Sequence, residues 1–241
     1  MRSRYGARWE GLRLGRLFLG EFLPASLWAG AAEPERSRKS IAVHVINSFG
    51  VTTSLTNILS DLGRQGVRIK RETLNRYLQI LEDAKIISRC ARFDMKSRKS
   101  LQGEQKYYLA DLSFYFALNT DNRIDYGPVL ENIVYSYARS LGYEVGAGRV
   151  GRLECDFVMR SPAMEYAYVQ VAMTIMNSLS TEDREYRPLE QIRDNWPKFV
   201  ITRSDPIQHR GGIVHENVTE LIGEGRTFGL AWVSVSAGAD Y

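Results

Sequence analysis

Two apolar stripes at helical spacing, one soon after the other, constrain this chain most. Leu55, Ile58, Leu59 and Leu62 recur at i, i+3, i+4, i+7 behind Thr52-Thr53-Ser54, which offers an N-cap, and Gly63 and Gly66 close the segment. The spacing returns in Leu74, Tyr77, Leu78 and Leu81, and this next helix ends near Ala84. A helix with one apolar face must bury it, and a short Gly-containing connection brings the two together as a helix-turn-helix. Upstream, the mostly apolar Ile41–Phe49 predicts a helix ending at Gly50. Downstream come Ile86–Asp94, rich in strand formers, a polar turn Lys96–Ser100, and a second strand-like run Lys106–Leu109. Three helices followed by a hairpin with a basic tip predict a winged helix.

The rest of the chain changes character. Leu112–Leu118 reads as a linking helix and Asp121–Gly127 as a loop, after which Leu130, Ile133, Val134, Tyr137, Ala138 and Leu141 mark one face of a helix over Val129–Gly142. Tyr143–Ala147, Leu153–Arg160 and Glu165–Thr174 read as strands and Thr181–Trp196 as a helix stopped by Pro197. Lys198–Thr202 and Ile213–Val218 read as strands, with a short helix over Thr219–Gly223. Helix, three strands, helix and strand predict an α/β domain with a mixed central sheet. At 241 residues the chain suits two modest cores. The expected division is 1–38 as a poorly packed N-terminal segment, 39–118 as the winged helix, and 119–241 as the α/β domain.

The first segment imitates a secretory signal, with an Arg-rich start, apolar Leu17–Trp28 and small Ala29–Ala32, but Glu21 within the apolar stretch and the long charged lead argue against one. No run reaches the roughly 20 apolar residues of a membrane helix. Cys90 and Cys155 have no CxxC partner, which points away from a disulfide framework or zinc site. A cytoplasmic protein without a membrane partner is expected.

Net charge is +4, and its distribution is informative. Arg64–Lys106 carries twelve basic and five acidic residues, whereas Tyr107–Tyr241 carries twelve basic and eighteen acidic. A basic module therefore precedes an acidic one, the footprint expected for a phosphate backbone. On the helix bearing Leu74 and Leu78, the apolar stripe leaves Arg71, Asn75, Arg76 and Gln79 outward. Arg can fork onto guanine, Asn and Gln onto adenine, while Arg68 and Lys70 before the helix can meet phosphates. In the hairpin Arg92, Lys96, Arg98, Lys99 and Lys106 could follow the backbone as a wing. Double-stranded DNA is the expected partner; charges that merely solvate a protein-interaction module are the competing account.

In the second domain Glu154 and Asp156 alternate onto one face of a strand, Gln170 and Ala172 onto one face of the next, and Glu131 lies on the preceding helix. A hydrolytic Mg²⁺ site needs converging carboxylates and a Lys to stabilise charge developing at phosphate. The strand that should supply acid-x-Lys supplies Gln170-Val171-Ala172, so the Lys is missing.

From about Ile41 to Ile222 the chain resembles the C-terminal region found behind the P-loop domain in a family of prokaryotic AAA-type ATPases. The strings that carry the resemblance are Arg71–Ala84, Lys106–Asp111, Leu130–Tyr135, Cys155–Val158, Val169–Ala172 and Asp194–Val200. The resemblance implies a winged helix followed by a restriction-endonuclease-like fold of the PD-(D/E)XK type. Glu131, Asp156 and Gln170 would occupy the acidic positions and Ala172 the Lys position; Glu131 and Asp156 would be the metal ligands if any Mg²⁺ were held. No GxxxxGK(S/T) occurs, so ATP hydrolysis is not expected. His44, His209 and His215 lack metal-site spacing, and no GxSxG elbow or Cys–His pair supports a hydrolase triad. The expectation is a DNA-binding, non-catalytic module without a required cofactor. A Mg²⁺-dependent nuclease using a migrated Lys such as Lys198, and a module docking to a separate ATPase, are the alternatives.

Overall fold

A computed structural model of the chain describes residues 35–95, 99–119 and 125–229, forming several helices and an eight-stranded mixed sheet. The chain falls into two compact units. Of the described residues, 35–89 with 103–119 and 125 form the first; 90–95 with 99–102 and 126–229 form the second.

The first unit contains α1 (Glu35–Asn47), α2 (Leu55–Arg64) and α3 (Arg71–Asp83). Helix α1 starts ahead of the apolar run that betrays it, so Glu35–Arg38, assigned from sequence to the N-terminal segment, are helical; that segment's residues 1–34 lie outside the described residues. Its polar first turn has no buried stripe and is held by a Lys39–Glu35 ion pair of 2.6 Å. Ser54 caps α2 by accepting from the Asn57 amide at 3.2 Å. Leu62, Leu74, Tyr77, Leu78 and Leu81 are buried with Ile41, Val45 and Ile46 in one core. The hairpin β1 (Ile87–Asp94) and β2 (Lys99–Leu109) follows, and its base belongs to this unit. Thr53, between α1 and α2, forms an antiparallel bridge to Gln105 of β2, exchanging backbone hydrogen bonds of 2.8 and 2.9 Å. Helix α4 (Ser113–Leu118) packs on α1, with Tyr115 edge-on to Phe49 at 4.9 Å.

The second unit begins with the outer half of the hairpin, where Arg92, Phe93 and Asp94 pair parallel with Ala147, Gly148 and Arg149 of β3 (Glu144–Val150). The boundary expected at 118/119 is thus not the one observed, because this pairing spans some fifty residues and leaves no local pattern. Strands β4 (Leu153–Arg160) and β5 (Tyr166–Ala172) run antiparallel to their predecessors, while β6 (Lys198–Thr202) and β8 (Ile213–Asn217) run parallel to β5. A two-residue strand β7 (His209–Arg210), too short to show a pattern, closes the edge. Helix α5 (Tyr126–Ser140) packs on the face bearing Phe157 and Val169, with Tyr135 against Phe157 at 6.1 Å. Alternation turns Tyr166, Tyr168, Gln170 and Ala172 to the other face, which α6 (Leu179–Glu190) covers. Helix α7 (Val218–Gly223) is the last element among the described residues, and Phe228 beyond it is buried against Tyr143 and Phe199.

Helix α6 is displaced from the expected Thr181–Trp196. It starts two residues earlier under a Ser178 cap (Thr181 amide to Oγ, 3.1 Å) and ends at Glu190. Leu189, Ile192 and Trp196 imitate a helical stripe, yet residues 191–196 reach the same core from an irregular segment.

Candidate functional site

Along β4 and β5 the paired register runs from Arg160 opposite Tyr166 to Phe157 opposite Val169. Beyond it, side chains replace the backbone ladder. The Asp156 amide donates to Gln170 Oε1 at 3.3 Å, and the Val171 amide donates to Asp156 Oδ2 at 2.8 Å. Gln170 then donates from Nε2 to Glu185 Oε2 on α6 at 2.9 Å, and Arg184 donates to Glu185 Oε1 from Nε at 2.9 Å and Nη2 at 2.7 Å. Gln170 and Glu185 are both buried. Where strands diverge, a side-chain carboxylate and carboxamide thus hold the gap, because buried amides need acceptors.

Asp156 and Gln170 are therefore brought together as the sequence suggests, and Ala172 sits at the last position of β5. Glu131 is half-buried on α5. Glu185 was not legible as part of this cluster: its role comes from proximity to Gln170 across elements, and its own neighbourhood in sequence is that of an exposed acidic helix. Lys198, weighed as a migrated Lys, donates instead to the Asp194 carbonyl at 2.9 Å, the Trp196 carbonyl at 3.1 Å and Asp194 Oδ1 at 3.3 Å.

On the first unit the polar face of α3 is open. Arg68, Lys70, Arg71, Asn75, Arg76 and Gln79 are all exposed. Arg71 Nη1 rests on Thr56 Oγ1 at 3.2 Å, tying the helix start to α2, and Gln79 Nε2 donates to Asp83 at 2.9 Å. Two hairpin assignments are corrected. Arg92 has a side chain only 11% exposed and is ion-paired with Glu154, so it is held within its own sheet rather than offered as a wing. Lys106 is buried, on a stretch of β2 that covers the core. Lys96 and Arg98 lie outside the described residues; Lys99 begins β2.

A second polar cluster closes the ends of β6 and β8. Neutral His215 accepts the Gln208 amide at Nδ1 (3.0 Å) and faces Thr202 Oγ1 through Nε2 (2.8 Å), while Thr202 donates to Asn217 Oδ1 (3.0 Å). Asn217 donates to the Asp205 carbonyl, and Asp205 accepts the Ile175 amide at 2.7 Å. Burial pushes the His215 imidazole below its ordinary range, partly offset by Asp205. Both ring nitrogens are engaged, which makes this a strand-end clasp.

Residues 33–124 match a family described as a domain of unknown function (DUF8612). An uncharacterized protein of Haemophilus influenzae is 29% identical over 164 residues, covering 68% of this chain and 40% of that protein. The chain thus spans less than half the length of that relative. The crystal structure of protein VC1899 from Vibrio cholerae aligns with 98% of this chain and 57% of its own at 11% identity, with a TM-score of 0.25. Among the described residues no helix is long and apolar enough to cross a membrane.

Proposed function

We propose that this is a DNA-binding protein: a winged helix that lays α3 in the major groove of a duplex, joined to a nuclease-like α/β unit that serves as a scaffold rather than a catalyst. The observation that carries this reading is the exposed, cation-rich face of α3, with Arg71, Asn75, Arg76 and Gln79 ordered along it and Arg68 and Lys70 at its start. The Thr53–Gln105 bridge also suits a winged helix, whose hairpin takes a third short strand from between the first two helices. The scaffold part is supported by Ala172 at the Lys position and by Lys198 being engaged at Asp194. A nuclease working through Lys198 would have to give up those three hydrogen bonds.

The test is duplex affinity at low salt. Arg71→Ala with Arg76→Ala should weaken binding by about tenfold or more and shallow its salt dependence, since each lost phosphate or base contact removes counterion release or a bidentate pair. Unchanged affinity would end the proposal. Supercoiled plasmid incubated with Mg²⁺ or Mn²⁺ should stay uncut; cleavage abolished by Asp156→Ala would instead establish the nuclease. The resemblance to regions behind AAA-type ATPase domains also suggests an ATPase partner, a reading compatible with a relative of more than twice the aligned length. Co-purification that survives nuclease treatment would identify such docking.

A further inference from the structure

A cleft of about 580 Å³ opens on the second unit, within the size range of ligand sites. Part of its wall is aromatic. Phe93, Tyr166 and Trp196 are each half-buried and turned into it, and Tyr166 and Trp196 stand with ring centroids 6.0 Å apart at 58°. The wall carrying Trp196 is fixed by Asp194, which accepts the Tyr168 hydroxyl at 2.6 Å, the Trp196 amide at 3.1 Å and the Lys198 ammonium at 3.3 Å. That carboxylate is engaged by all three donors, so it presents little uncompensated charge to a ligand. At its rim stands one exposed arginine, Arg193.

Half-buried aromatic side chains beside an exposed guanidinium match one ligand chemistry well: a planar heteroaromatic ring attached to a phosphate. We infer that this cleft holds an unpaired base of single-stranded DNA by stacking against Trp196 beside Tyr166, with Arg193 on a flanking phosphate. This site goes beyond the duplex surface of α3: it is on the other unit and reads a different form of nucleic acid.

The full chain should bind a fluorescently labelled oligodeoxythymidylate of about twelve nucleotides, within the range of single-strand site sizes. Trp196→Ala should weaken that binding about tenfold, and Arg193→Glu by a similar factor. The Arg71→Ala/Arg76→Ala variant should change it by no more than about twofold while losing duplex affinity, so that failure of either site is read separately. Should Trp196→Ala not fold by circular dichroism, the surface change Arg193→Glu decides alone. No strand binding at low salt, parental affinity in Arg193→Glu, parental affinity in a folded Trp196→Ala, or competition by free thymidine monophosphate as effective as by the strand would overturn the inference.

Discussion

Gln170 joins its carboxamide to the carboxylate of Glu185 across 2.9 Å, with both side chains buried beneath α6. A carboxylate at position 170 would oppose the one at 185 at hydrogen-bond distance. Gln170→Glu is therefore expected to destabilise the fold at neutral pH by about 3 kcal/mol, and Gln170→Leu, which removes the donor to Glu185 and the acceptor for the Asp156 amide without adding a charge, by about 1–3 kcal/mol. Urea unfolding of the two variants checks the order; equal stability of Gln170→Glu and the parent protein would show that the pair is solvated.

Stability should fall on acidification through two histidines. Burial lowers the folded-state values of His215 and His44, with Asp205 and Asp61 respectively opposing it. A depressed folded value means that the unfolded chain binds more protons, so the stabilisation is complete above about 6.5 and is lost as pH drops below it. At His215 protonation also displaces the Gln208 amide from Nδ1. Thermal unfolding between neutral and mildly acidic pH should show a smaller decline in His215→Gln than in the parent; an identical slope would remove His215 from the account.

Helix α3 ends in a paired motif, Ile86 amide to Leu81 carbonyl and Lys85 amide to Glu82 carbonyl, both 3.0 Å, that places Lys85 at φ +59°. Helix α2 ends the same way with Gly66 at φ +79°. A side chain in this region is strained where glycine is not, so Lys85→Gly should raise stability by about 1 kcal/mol. A lower denaturation midpoint would contradict this.

Gly148 in β3 sits where an added Cβ would lie 2.8 Å from Val158 Cγ2 and 3.1 Å from both Cys155 Cβ and the Cys155 carbonyl oxygen. Two of these are a buried strand's own atoms, with little room to yield. Gly148→Ala should cost about 1–3 kcal/mol through overpacking, read by urea unfolding, with near-parental stability as the opposing result.

What could be read from the chain depended on the range of the interaction. Leu55–Leu62 and Leu74–Leu81 announce α2 and α3 because their burial repeats with the helical period. Asp156 and Gln170 were visible as positions on neighbouring strands. The Thr53 bridge was not, since one paired residue has no period, and Glu185 joins the cluster only after α6 folds onto β5. Arg92 looked like a wing residue because its partner, Glu154, is 62 positions away. The same blindness to distant pairing placed the domain border after Leu118.

The hairpin carries a practical consequence for dissecting the protein. Because Arg92–Asp94 supply the strand beside β3, a fragment cut between 118 and 126 would leave β3 as an unprotected edge with free backbone donors and acceptors. Such a piece should self-associate unless the hairpin is grafted back onto it, and an inactive C-terminal fragment would say little about the intact chain.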